Sequence, residues 1–279
     1  MDKKFISGVI VMLILVFPGC QYDQTDYTPV IPENSYIPLP ENLIAYNDDK
    51  SVSARYVDPT TRYNHGVLGD TIEAGGLLVV SKEKELYLKL DDRFVFEDLQ
   101  PRLFDVDNDG KPEVITIMTS LDFGASVSVY KIAGDVLVPF VHSNFIGIPK
   151  RWLNIAAIHD LDGDGKLEIA WVETPHIGGT LKMARVESGS LQLLAEKSGV
   201  SNHQYGLRNM CLSALTLSNG FKDLWLPNDS YDAIIGFRLL NNQIIQEETI
   251  AQTTDPAIPL FMQHVFVGFQ EDKSCVFVP

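Results

Sequence analysis

The chain has 279 residues, 45% of them hydrophobic, with 37 acidic against 22 basic side chains and a formal net charge of -15. That apolar content is globular rather than disordered, and the length suffices for one large core or two small ones. A negative surplus of this size excludes a nucleic-acid backbone as a partner.

The first twenty residues are a different material. Lys3 and Lys4 precede an apolar run from Phe5 to Phe17, too short for a comfortable membrane span, and the run leads into VFPGC. A charged start, a short apolar segment and a Gly-Cys junction resemble a bacterial lipoprotein signal over residues 1–20. The resemblance implies lipidation at Cys20 and, with Gln21 rather than Asp after it, the outer membrane. An ordinary secretory signal cut nearby is the other reading. Residues 21–40 hold four prolines without periodicity and read as a tether between membrane and domain. The expected location is the cell envelope, with the lipid as the only membrane contact.

From residue 41 to the end the chain is a series of short apolar runs with no long helical pattern. Two strands, NLIAYN and VSARYV, come first. A unit from His65 to Leu99 follows, with the runs HGVLGD, LLVVS, ELYLKL and RFVFEDL. Then Glu113, Glu168 and Asp223 recur every 55 residues, each opening one strand and each followed by two more. Two strands, HVFVGF and CVFVP, close the chain. Four antiparallel strands at this period resemble a β-propeller blade. The expected fold is all-β, a propeller of five four-stranded blades over residues 41–279. The N-terminal strands at 43–57 would complete the last blade by pairing with residues 264–278, since closure removes unpaired edges. Cys211 and Cys275 lie in apolar runs, either as a disulfide or as buried thiols.

Two loops carry the chemistry. In DVDNDGKPE, Asp105, Asp107 and Asp109 stand at positions 1, 3 and 5, Gly110 at 6, Lys111 at 7 and Glu113 at 9. In DLDGDGKLE, Asp160, Asp162, Asp164, Gly165, Lys166 and Glu168 repeat the pattern. Ca²⁺ takes six to eight oxygens, including a backbone carbonyl at position 7, and the glycine permits the sharp turn. Without a cation, four carboxylates this close repel one another. A helix-loop-helix site needs Glu at position 12, where these loops have Thr116 and Trp171. Zn²⁺ would ask for His or Cys, and Mg²⁺ prefers to keep its waters. In the third copy Leu215 and Leu217 replace the first two aspartates, leaving Asn219, Gly220 and Asp223, and no ion is expected there.

This spacing between two strands resembles the FG-GAP/VCBS repeat, the unit of integrin α-subunit propellers and of many bacterial surface proteins. The resemblance spans residues 60–279 and is sharp in the two loops. It implies two Ca²⁺ ions, held by Asp105, Asp107, Asp109, Lys111 (through its carbonyl) and Glu113, and by Asp160, Asp162, Asp164, Lys166 (likewise) and Glu168. It also implies that the opposite end of the domain binds ligand. The loops expected there supply Arg62, His65, Asp122, Arg151, Trp152, Glu173, His176, His203 and Arg208 as ligand-binding candidates. No nucleophile elbow, phosphate loop or HExxH motif is present. The leading reading is a calcium-stabilised envelope propeller that binds a protein or glycan. The alternative is an envelope hydrolase or lyase with its site at the propeller mouth. A pocket lined by His65, His176 and His203 would favour the enzyme, and an aromatic surface around Trp152 would favour binding.

Overall fold

A computed structural model describes residues 36–252, Asn219 excepted, and among these every regular element is a β-strand. The strands form four successive antiparallel units. The first contains β1 (Ala45–Tyr46), β2 (Val52–Thr60), β3 (Glu73–Ser81) and β4 (Lys84–Lys89). The second contains β5 (Phe94–Phe96), β6 (Arg102–Phe104), β7 (Glu113–Ser120), β8 (Gly124–Ala133) and β9 (Val136–His142). There β5 and β6 pair with opposite ends of β7, so together they act as one interrupted first strand. The third is β10 (Leu153–His159), β11 (Glu168–Glu173), β12 (Thr180–Glu187) and β13 (Ser190–Ser198). The fourth is β14 (Ala214–Ser218), β15 (Phe221–Pro227), β16 (Ala233–Leu240) and β17 (Gln243–Gln252). One bridge, Ala74 to Phe96, joins the first two units.

The burial pattern explains the composition of each strand. All eight residues of β7, EVITIMTS, are buried, and β10 is buried in all but its last residue. Strands covered on both faces read as continuous apolar runs. The fourth strand β13, SLQLLAEKS, has no fully buried residue. Alternation then sorts each inner strand between two neighbours. From β7, Val114 and Met118 enter the cluster shared with Leu77, Val79 and Leu88 of the first unit. Ile115 and Ile117 enter the cluster shared with Trp152, Ile155 and Trp171 of the third. From β11, Ala170 and Val172 join Leu224, Leu226 and Phe237 of the fourth. The units therefore stack face to face in chain order, and the core is the set of layers between them.

Three expectations from the sequence change. HGVLGD is a loop, and RFVFEDL supplies β5 of the next unit. The first unit instead takes both N-terminal strands, because β2 is flanked by β1 and β3. Those strands therefore build the first unit together with β3 and β4. The physical reason is proximity in the chain: β2 reaches β3 across residues 61–72, whereas the expected partners lie near the other terminus, and chain closure costs more as the loop lengthens. Residues 264–278, the expected pairing partners, and Cys20 lie outside the described residues. Finally, residues 36–40 are not tether. Leu39 is buried in the first core layer, Pro38 bridges to Val57, and the Tyr36 hydroxyl donates to Glu85 Oε1 at 2.8 Å. Cys211 is disulfide-bonded.

Gly124 opens β8 with φ +75°, and a Cβ there would lie 2.5 Å from the Ile148 carbonyl oxygen and 2.7 Å from that of Arg151. Gly124→Ala is expected to cost roughly 2 kcal/mol or more, from backbone strain plus displacement of the 143–152 connection. Gly134→Ala has φ +65° and open space around it, so it should cost about half as much. Denaturant melts of the two variants check the difference.

Candidate functional site

The acidic loops are the connections from β6 to β7 and from β10 to β11, the same place in successive units. Each is folded by its own carboxylates. Asp105 accepts the backbone N–H groups of Asp109 (3.0 Å) and Gly110 (2.8 Å), and Asp160 accepts those of Gly163 (2.8 Å) and Gly165 (3.0 Å). Position 9 closes the turn. Glu113 Oε2 accepts Val106 N–H at 2.9 Å, and Glu168 Oε2 accepts Leu161 N–H at 2.8 Å. Gly110 and Gly165 have φ of +83° and +87°, which a side chain would strain.

In each loop three carboxylates converge. Oxygens of Asp105, Asp107 and Glu113 lie within 4.8 Å of one another, and so do those of Asp160, Asp162 and Glu168. That span suits oxygens sharing one Ca²⁺, whose ligands sit at about 2.3–2.6 Å. Asp107 Oδ1 and Glu168 Oε1 are buried with no hydrogen-bond donor. Buried orphan oxygens on converged carboxylates fit a hard cation. Asp109 and Asp164 stand outside the triads. Burial, then the charges of Asp107 and Asp162, push Glu113 and Glu168 up to about 7.

A cation from the neighbouring strand also meets each loop. Lys131 Nζ on β8 donates to Asp107, and to Asp109 Oδ2 at 3.1 Å. Arg185 on β12 donates to Asp162 Oδ2 at 2.7 Å and Asp164 Oδ2 at 2.5 Å. Its Nε lies 3.3 Å from Glu168 Oε1 without hydrogen-bond alignment. In the third copy, Arg238 Nε and Nη2 grip Asp223 Oδ1 and Oδ2 at 2.8 and 3.0 Å.

The opposite end gathers the connections between second and third strands and between units. There Trp152, His176 and His203 meet: Trp152 stacks on His176 (centroids 5.9 Å, 2°) and lies edge-on to His203 at 4.7 Å. His65 and His176 each lie edge-on to Tyr205. Trp152 and His203 are buried, so they support this surface from beneath. Beside them His65 Nδ1 is 2.6 Å from Glu97 Oε1, and Thr119 Oγ1 donates to Glu97 Oε2 at 2.9 Å. Trp152 Nε1 donates to the Glu97 carbonyl at 2.8 Å. The other candidates are held elsewhere. Arg62 donates to Phe94 O, Glu173 pairs with Lys182 at 2.7 Å, and Arg208 pairs with Asp70 at 2.7 Å and Glu41 at 2.6 Å. Asp122 is exposed at the β7–β8 turn, and Arg151 donates to the Lys150 carbonyl.

Glu97 and Glu73 were not singled out by sequence. Both are buried, and burial raises both, with the charge of Glu97 acting further on Glu73. The available signal was a carboxylate directly after FVF, in a run otherwise fit for a core.

Hydrogen bonding fixes the imidazole protons. A carbonyl only accepts, so His203 Nε2–H donates to Leu207 O at 2.8 Å. Neutral His203 Nδ1 therefore accepts from His176 Nε2–H at 2.9 Å. His176 Nδ1 keeps its lone pair.

Residues 105–171 match a family described as FG-GAP-like repeat, and that span holds both acidic loops. No curated protein matches the chain. The exotype rhamnogalacturonan lyase YesX is similar at 12% identity and a TM-score of 0.39, over 74% of this chain and 49% of the lyase. The rhamnogalacturonan lyase YesW is similar at 13% identity and a TM-score of 0.41, over 78% of this chain and 53% of the lyase. A Xanthomonas type IV secretion system related protein is similar at 10% identity and a TM-score of 0.28, over 71% and 88%. The chain thus spans about half the length of the two lyases. Similarity at this level assigns neither activity nor substrate to this chain.

Burial pushes His176 and His203 down to about 4, with the His203 and His65 imidazoles adding to the shift at His176. Below the ordinary histidine pKa of about 6.5 the unfolded chain takes up protons that the fold refuses. Stability should therefore fall as pH drops from 6.5 towards 4, by at most roughly 3 kcal/mol per residue. The double variant His176→Asn/His203→Asn should lose less stability than the wild type between pH 7 and pH 4.5. Equal losses in urea melts would remove the imidazoles as the cause.

Proposed function

We propose that the chain is a calcium-stabilised β-propeller of the bacterial cell envelope, exported and lipid-anchored through Cys20, that binds a partner at the loop end opposite its calcium loops. The observation that carries the calcium reading is the converged carboxylate triad, present twice at one position of successive units with a buried orphan oxygen in each. When bound, the ion supplies charge neutralisation to a turn whose one buried apolar side chain, Val106 or Leu161, faces the core and leaves the carboxylates unshielded from one another. The ligands are the side chains of Asp105, Asp107 and Glu113 and of Asp160, Asp162 and Glu168, with Asp109, Asp164 and the carbonyls of Lys111 and Lys166 completing the shells.

The propeller reading rests on face-to-face stacking and on curvature. The β2–β3 connection meets the connection between the third and fourth units, where Tyr205 donates its hydroxyl to the His65 carbonyl at 2.6 Å and Gly206 N–H donates to Val67 O at 2.9 Å. Units stacked in a straight row would hold these loops apart.

At this end Phe123, Ile148, Ile177, Tyr205 and Leu207 are exposed, each on a connecting loop. Apolar side chains collected at one end mark a contact surface. Three of them, Ile148, Ile177 and Leu207, are aliphatic, which suits a protein partner better than a sugar. The enzyme reading draws on one arrangement, His65 oriented through Nδ1 by the buried Glu97, which is how a general base is held.

Titration calorimetry on chelated protein should give two Ca²⁺ per chain, and Asp162→Ala should give one. Asp223→Ala should leave the count at two. Chelator should lower Tm, because a ligand of the folded state stabilises it by mass action. Zero or three ions would sink the reading. For the partner face, Ile177→Ser with Ile148→Ser, both exposed, should abolish capture of envelope proteins without lowering Tm. Cys20→Ser should release the protein from membranes, and unchanged association with no lipid on the mature N-terminus would reject the anchor.

A further inference from the structure

We infer that Lys131 and Arg185 are resident cations of the two calcium loops, neutralising the carboxylates before the metal arrives and competing with it for them. The inference rests on the calcium reading above and adds residues on a different strand. Its basis is positional. Arg185 is the direct cross-strand partner of Glu168 in the β11–β12 ladder. One step beyond Val114↔Tyr130 places Lys131 opposite Glu113, and one step beyond Leu224↔Phe237 places Arg238 opposite Asp223. Three units thus put a cation on the third strand, facing the acidic residue at or near the start of the second. Opposite charges across a ladder attract at the closest range a sheet allows.

The contacts show what these cations replace. Lys131 Nζ touches Asp107, lies 3.1 Å from Asp109 and 3.8 Å from Glu113, the side chains of positions 3, 5 and 9. Arg185 spans the same three positions through Asp162, Asp164 and Glu168. Two of these three carboxylates, positions 3 and 9, also belong to the converged triad, so a side-chain cation and a metal draw on the same charges. The third unit shows the limit. Two aspartates are gone, and Asp223 is gripped by both forks of Arg238. Along the chain the loops thus run from a single ammonium, through a guanidinium among four carboxylates, to a paired guanidinium with no acidic loop.

The two cations differ in how readily they yield. Lys131 is a point charge on a flexible stem, and the ring of Phe140, 4.3 Å from Nζ, offers it another resting place. Arg185 is a rigid fork, its side chain 8% exposed and spread over three carboxylates. Loop 105–113 should therefore bind Ca²⁺ more tightly than loop 160–168.

The test uses the full mature chain, with Ca²⁺ alone as the probe. Lys131→Met and Arg185→Met should each tighten Ca²⁺ at their own loop by about tenfold or more and lower Tm in chelator. Arg185→Lys keeps the charge and the packed stem, and should bring the second loop's affinity towards that of the first. Arg238→Met should lower Tm equally with and without Ca²⁺ and open no new site. Wild-type affinity in both Met variants, or a chelator Tm equal to the wild type's, overturns the inference while leaving two-ion binding intact. Failure of the wild type and all variants to bind millimolar Ca²⁺ overturns the calcium reading and the competition together.

Discussion

The structure depends on neutralising one carboxylate per repeat. Glu113 and Glu168 begin the second strand of their units, Asp223 lies two residues into its own, and each is at most 3% exposed. A buried charge without a partner is among the largest penalties a fold can carry. The second strand cannot move outward to relieve it, because its apolar residues form the layers on both sides. The position must therefore hold a cation, and the three units meet this need with different mixtures of acidic loop and basic side chain.

That constraint divides the molecule into two ends of different character. At the acidic end, local hydrogen bonds between carboxylates and backbone N–H groups shape each loop within its own unit. At the other end, side chains from different units meet. Glu97 of the second unit holds His65 of the first, its carbonyl accepts Trp152 from the third, and Tyr205 closes over the imidazoles. A local turn serves electrostatics within one unit, whereas the composite surface has a shape that exists only when several units are correctly stacked.

The acidic loops were fully legible in the sequence, since their spacing is local and repeated. Strand identity was legible wherever burial on both faces produced runs such as EVITIM. The frame of the first unit was not. HGVLGD has the apolar content of a strand, yet its valine and leucine fill the second core layer from a loop. That misreading left the LLVVS–ELYLKL pairing intact but misassigned the strands on either side of it, and the N-terminal strands were assigned elsewhere. The resident cations were visible as Lys131, Arg185 and Arg238, which follow the acidic position by 18, 17 and 15 residues. Their meaning needed the strand register. The convergence of His65, His176 and His203 rests on contacts across units, which no local pattern encodes.

The meeting of the β2–β3 connection with the loop before the fourth unit bears on the order of folding. Arg208 and Asp70 are 138 residues apart in the chain, yet they form a salt bridge. Contacts of such long sequence separation form late, after the local hairpins have closed. The composite face would then be the last part to assemble and, with few apolar contacts at its rim, the first to open. A chain caught partway through folding would carry finished hairpins and finished acidic turns but no composite face, so contacts such as Arg208 to Asp70 would themselves report that folding is complete.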